Sequence, residues 1–341
     1  MALSLELKST IASILKSHDV AHHGFTSLEK PLSFEIYQNW IAHGMHGEME
    51  YLKTHLPQKS QPQELKPGLR SALVIAQDYL PSPRPAEIFS GLRTALYAQG
   101  EDYHFWFKEK LQKIADELKT QFPDEEFLVF TDSGPILERD LAKKAGLGWV
   151  GKNTCLIEPK RGSLFFIGEI LSTVDFSEWQ NPEIPDFCGT CTRCIDVCPT
   201  KAITRPKEVD ARLCISYWTI ESREVAPPEI REKFQDWFFG CDLCQTICPW
   251  NEKVFHFSKN PTKPAPSALE NDLRFLLTAS GKQIEKKVLG TPLKRAGPFG
   301  LRRNALMIIG NQKISSLKAE TERWSKDPKL GELARWALER I

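Results

Sequence analysis

Leu7, Ile11, Ile14 and Leu15 fall on one helical face of an otherwise polar stretch, so the chain opens with an amphipathic helix. A polar segment at 57–67 leads to Ala72–Ala76 (ALVIA), a short apolar run that reads as a buried strand bounded by the loop Pro81-Ser-Pro83-Arg-Pro85. Phe107, Leu111, Ile114, Ala115 and Leu118 mark a second amphipathic helix, ending before Pro123. Phe127–Phe130 is a second buried strand, and the apolar stretch Leu164–Ile170 completes this half. Strands alternating with helices predict an α/β domain over residues 1–180. Asn181-Pro-Glu-Ile-Pro185 is a linker into a second segment, 181–257, and Ser258–Pro266 is a second linker. The remainder, 258–341, is helical, with Leu301–Ile309 and Leu330–Ile341 as units of a short α-solenoid.

Two junctions in the first half carry candidate chemistry. The second strand ends in Thr131-Asp132-Ser133-Gly134-Pro135, where Ser133 is placed to cap a helix from Pro135 to Ala145. Asp132 then stands at the carboxyl end of a strand, where open α/β sheets bind ligands. Alternatively it is a second cap, kept ionised by the helix dipole, and the residues alone do not choose. Gly146-Leu-Gly148-Trp-Val-Gly151 matches G-x-G-x-x-G, but a helix precedes it and a strand follows. A dinucleotide fingerprint needs the reverse order. The glycines instead suggest close backbone approach to a bulky flat ligand, with Lys152 and Asn153 beside it. His43 and His46 lack an evident third metal ligand and read as surface or substrate-facing.

Charge changes the picture little: 45 basic residues stand against 44 acidic, so a polyanion site must be a local patch. One exists. Lys282, Lys286, Lys287, Lys294, Arg295, Arg302 and Arg303 cluster with Glu285 as the only acid among them. No apolar run approaches the roughly 18 residues of a membrane span, and the first residues lack a signal-peptide core. A cytoplasmic location without membrane contact is expected.

Cysteine changes it most. Cys188-x2-Cys191-x2-Cys194-x3-Cys198-Pro199 is the bacterial ferredoxin run, in which the fourth cysteine ligates the other cluster of a pair. Cys241-x2-Cys244-x3-Cys248-Pro249 is its partner, with Cys214 replacing the usual first member. The crossing rule assigns Cys188, Cys191, Cys194 and Cys248 to one [4Fe–4S] cluster, and Cys214, Cys241, Cys244 and Cys198 to the other. Zinc knuckles or disulfides give no reason for both C-x3-C-P endings. Cys155, the ninth cysteine, reads as a buried small residue. A bare ferredoxin needs no domain of some 180 residues ahead of its clusters. The first domain therefore holds a further cofactor and a substrate, for which flavin, a corrinoid or a third metal site would fit.

Asp132-Ser-Gly-Pro-Ile-Leu-Glu-Arg, Ala145-Gly-Leu-Gly-Trp-Val-Gly-Lys-Asn153, both cysteine runs, HGEMEYL at 46–52 and GEDYH at 100–104 together resemble the epoxyqueuosine reductases. The resemblance spans residues 46 to about 250, and the tail resembles a short form of the family's HEAT-like region. It implies a cobalamin-dependent iron–sulfur enzyme that reduces the epoxide of epoxyqueuosine at the wobble position of tRNA. It further implies electrons passing from an external low-potential donor through both clusters to cobalamin, and Asp132 as proton donor with its pKa raised by burial under the corrin. By looser alignment it places Lys59, Ala95–Ala98, Leu156, Ile167, Ser216 and Asp242 around the corrin, beside Lys152 and Asn153. Asp102-Tyr-His104 lacks the glycine of D-x-H-x-x-G, which implies base-off cobalamin without a protein histidine on cobalt. Lys294, Arg295, Arg302 and Arg303 are the expected tRNA grip, and the chain is expected to be a monomer. A corrinoid reductive dehalogenase or a non-enzymatic ferredoxin are the alternative readings.

Overall fold

The computed structural model describes residues 5–79, 88–255 and 265–341; the Pro81–Pro85 loop and most of the Ser258–Pro266 linker lie outside them. Helix α1 (Leu5–Ser17) buries Ile11 and Leu15, as its periodicity requires. It packs on a sheet of four strands: β1 (His23–Ser27), β2 (Ser71–Asp78), β3 (Phe127–Thr131) and β4 (Phe165–Ser172), in the spatial order β1-β2-β4-β3. Every pairing is antiparallel, with Val74 and Phe130 both opposite Glu169. The α/β expectation is corrected here: the elements alternate, but the connections return antiparallel, giving an α+β layer.

The central strands β2 and β4 are buried on both faces. Leu73, Ile75, Phe166 and Ile170 face α1 and helix α2 (Tyr103–Gln121), whereas Ala72, Val74, Phe165 and Leu171 face helix α3 (Glu138–Lys144). A Cβ on Gly168 would lie 2.5 Å from Leu111 Cδ1, so only glycine lets α2 seat this closely on β4. Strand β3 pairs with β4 alone, and as an edge it is half-buried rather than buried. Helix α3 begins at Glu138 and has no side-chain cap, so Ser133 and Pro135 lie in an irregular turn before it.

The last third comprises helices α4 (Pro266–Thr278), α5 (Gly281–Lys287), α6 (Gly297–Gln312) and α7 (Gly331–Leu338). α6 is buried along most of its length, from Leu301 to Ile309. Its core does not divide at 257/258: Leu301, Leu306 and Ile309 share one apolar cluster with Ile215, Ile230, Phe234, Trp237, Phe238 and Phe239. The cysteine segment is locked to the first domain by Asn251, whose Oδ1 accepts from Ser163 N at 2.6 Å and whose Nδ2 donates to Ser163 Oγ at 2.9 Å.

Candidate active site

Asp132 follows β3 directly and takes φ +57°, the left-handed region. Its turn closes tightly, Ser133 N donating to Thr131 O at 2.7 Å. A non-glycine residue held there marks stored strain, which collects at working sites. Asp132 Oδ2 accepts from Tyr103 Oη at 2.9 Å and pairs with His104 Nε2 at 2.7 Å. His104 Nδ1 in turn meets Asp102 Oδ1 at 2.7 Å. Asp102 caps α2 by accepting from His104 N, so the helix start itself aims the imidazole. Tyr103 stacks on Phe166 with centroids 4.1 Å apart, which fixes the phenol.

The protonation pattern differs from the expected general acid of raised pKa. Desolvation pushes Asp132 up, but the His104 bond and charge, with the Tyr103 bond, outweigh it and hold the carboxyl below its ordinary value. For His104 desolvation works downward, yet its bonds to Asp102 and Asp132 win and push it up to about 9. The proton thus rests on His104. Glu138 is pushed up to about 7 by desolvation and then by the Asp132 charge. Glu169 is raised well above its usual range, by desolvation first and then by the charges of Glu138 and Asp132; both its carboxylate oxygens are buried without a partner.

Eight cysteines lie in two neighbouring groups. Cys188, Cys191, Cys194 and Cys248 line one cavity of about 180 Å³, open to the surface. Cys241 lies within electrostatic reach of Cys214 and Cys198, and Cys244 of Cys214 and Cys241. Several thiols already accept hydrogen bonds: Trp149 Nε1 donates to Cys188 Sγ at 3.5 Å and Ala202 N to Cys198 Sγ at 3.3 Å. Such N–H···S bonds stabilise cluster thiolates. Among the described residues no three His, Cys, Asp or Glu gather closely enough to hold one bare ion. A cubane does not ask for that, since its irons spread the thiolates over separate corners. The residues fit two clusters.

Known proteins agree with this geometry. Residues 187–251 match the family model described as 4Fe-4S double cluster binding domain, and residues 59–133 match Epoxyqueuosine reductase QueG, DUF1730. An epoxyqueuosine reductase of Pseudomonas aeruginosa is 37% identical over 313 residues, covering 89% of this chain and 86% of the relative. One of Xanthomonas campestris is 37% identical over 328 residues, covering 92% and 90%. The chain belongs to the epoxyqueuosine reductase family. A solved epoxyqueuosine reductase with a tRNA-Tyr epoxyqueuosine-modified stem loop superposes with TM-score 0.81 at 28% identity, covering 98% of this chain and 90% of that one. As a member of this family, the chain is an oxidoreductase carrying a double-cluster domain.

The remaining residues predicted for this epoxyqueuosine reductase fall into three groups. Asp242, 3% exposed, accepts from Leu96 N at 2.7 Å and is pushed up to about 6 by desolvation. Ala95 is buried against Gly240, and Tyr97 lies within electrostatic reach of both Asp132 and Asp242. Ile167 and Ser216 are half-buried. Leu156 is core, 3% exposed. Lys59 is buried behind the site, its Nζ donating to Ile136 O at 3.4 Å and so bracing the Asp132 turn. Lys152 Nζ donates to Gly189 O and Cys191 O, and Asn153 Nδ2 to Cys244 O. They clamp the cysteine loops. A Cβ on Gly148 would lie 2.3 Å from Ile157 O, so that glycine admits protein backbone. His43 is exposed, but His46 is buried at 2% exposure, against expectation.

Two of the four expected RNA contacts fail. Arg303 is 1% exposed and donates to Ser222 O at 2.6 Å and Glu224 O at 2.9 Å. Arg302 donates to the carbonyls of Leu276 and Ala279. Both fasten α6 to neighbouring loops; Arg303 is closed off from phosphate by burial, and half-buried Arg302 has two of its three guanidinium nitrogens on carbonyls. Lys294 is exposed, and Arg295 pairs with Glu221 at 2.9 Å. Exposed Lys282, Lys286 and Lys287 on α5 lie beside the site, because Gly290 O accepts from Asp102 N at 2.8 Å. Sequence reasoning missed His104 and Glu138, although both stand in the quoted stretches GEDYH and DSGPILER. The cap position of Asp102, two residues before a histidine, was the available signal.

Proposed function

We propose that this enzyme reduces epoxyqueuosine to queuosine at the wobble position of tRNA. One observation carries the reading: a strained Asp132 is bonded to His104, whose pKa is pushed up to about 9, and Tyr97 links it electrostatically to Asp242 beside Cys241. Cys188, Cys191, Cys194 and Cys248 would hold one [4Fe–4S] cluster, Cys198, Cys214, Cys241 and Cys244 the other, and residues around Tyr97 and Asp242 would border a corrin. Bound there, these groups supply single electrons and a centre that takes up two of them. His104 is tied on both ring nitrogens, to Asp102 and to Asp132.

The reaction consumes two electrons and two protons, converting an epoxide to an alkene and water. His104 Nε2 holds a proton against Asp132 Oδ2, and the pair passes it to the epoxide oxygen as the C–O bond opens. Asp132 is thereby the immediate donor and His104 its reservoir. Asp102 keeps the imidazole aligned, and Tyr103 fixes the carboxylate plane. Half-buried Glu138 and buried Glu169, both within electrostatic reach of Asp132, are candidate carboxyls for the second proton. A splayed wobble base suits this site because anticodon bases are unstacked and readable. The test is anaerobic incubation of the cluster- and cobalamin-loaded enzyme with an epoxyqueuosine stem loop and dithionite, followed by nucleoside mass spectrometry. Loss of one oxygen atom is expected. Full loading with no queuosine formed would overturn the proposal.

A further inference from the structure

The cavity lined by Cys188, Cys191, Cys194 and Cys248 opens to solvent. Lys152, Arg193 and Lys253 line this opening, and no carboxylate does. The acids at its rim are matched: Glu252 pairs with Arg193 at 2.9 Å and Asp186 with Lys207 at 2.6 Å. Lys152 and Lys253 remain in excess. Phe187, 50% exposed, stands edge-on to Trp149 at 5.3 Å and close to Trp250, over which Lys253 Nζ lies at 3.9 Å. Exposed aromatic surface ringed by cations is the composition of a transient docking face.

We propose that this face docks a small acidic electron-transfer protein carrying a one-electron flavin or iron–sulfur carrier. The inference rests on the reading that the clusters feed the reduction. Each encounter oxidises the partner by one electron, which the surface-open cluster accepts, so two encounters serve one turnover. Positive potential steers an acidic partner, and a small, weak interface lets it leave after each transfer. The cluster's own negative charge explains cations close to the thiolates, but not an aromatic left half-exposed above them.

The experiment measures the Kd of the loaded enzyme for an acidic flavodoxin over a series of salt concentrations, for wild type and for Arg193→Glu with Lys253→Glu. Affinity should fall with salt, and the double variant should bind about tenfold or more weakly. Its iron content and dithionite-driven turnover should be unchanged. Equal Kd values for wild type and variant, or a Kd insensitive to salt, would overturn the inference. So would a variant that loses stem-loop affinity while keeping flavodoxin, which would assign the face to RNA. Should the double variant lose iron, Phe187→Ala is measured instead, and an unchanged Kd there also overturns it. Absence of dithionite-driven turnover in wild type would defeat the functional reading, while the Kd comparison would still decide the docking face.

Discussion

At the scale of single residues, the site is governed by where protons rest. Asp132→Asn tolerates the left-handed backbone, which asparagine adopts more readily than most residues. It removes the carboxylate that takes the proton from His104. Turnover should fall by about 10²–10⁴-fold with cluster content intact. The His104 pKa should also drop from about 9, since one of its two carboxylate partners is gone, and an NMR titration of the ring reads this directly. Glu138 gives a stability prediction. Its folded value of about 7 exceeds the ordinary 4.5, so the folded state binds a proton that the unfolded state has lost across that window. Stability should therefore decline as pH rises from 4.5 to 7 and level off above. Glu138→Gln should flatten that decline, gaining on the order of 1–3 kcal/mol at pH 8 over wild type, by urea midpoints at pH 6 and 8. Sequence reading located Asp132 but not its proton, because a carboxylate's partners come from α2, some 30 residues away in the chain.

Secondary elements were legible wherever apolar spacing decided them: α1, β2, α2 and β4 all lie where the pattern put them. Polar positions were less so. Arg302 and Arg303 look like the exposed side of a helix, yet α6 is buried nearly all round, and its arginines serve carbonyls of distant loops. That partnership is long-range and leaves no trace in local periodicity. Arg303→Gln should accordingly lower stability by roughly 2–4 kcal/mol, because it strands two buried carbonyls, and should leave RNA affinity per folded molecule unchanged. Cysteine spacing, by contrast, encodes geometry directly. Cys248 shares a cavity with the 188–194 loop, and Cys198 lies within electrostatic reach of Cys214 and Cys241, an arrangement that crossed ligation would use. Cys198→Ala should thus impair the cluster of Cys214, Cys241 and Cys244, about four of roughly eight irons being lost or labile on anaerobic analysis.

For the whole molecule, a three-part division by linkers carries no information about cores shared across its boundaries. The helical tail is no separate appendage: it packs on the segment that carries Cys214 and Cys241, and its α5–α6 connection touches the Asp102 loop. This placement sets the RNA prediction. Of the basic run, Lys282, Lys286, Lys287 and Lys294 remain exposed beside the site mouth, whereas Arg302 and Arg303 are spent on carbonyls. Phosphate contacts release counterions, so each one lost should reduce the log–log salt slope by about 0.7–0.9. Glutamine at all four lysines should weaken whole-tRNA binding and flatten its slope by about three units, while iron and corrin content stay constant. A short anticodon stem loop should suffer less if these lysines grip phosphates outside the loop. An unchanged slope would move the RNA footprint off α5 and toward Arg295, Tyr51 and Glu221, the other polar groups at the mouth, of which Tyr51 lies within electrostatic reach of Asp132.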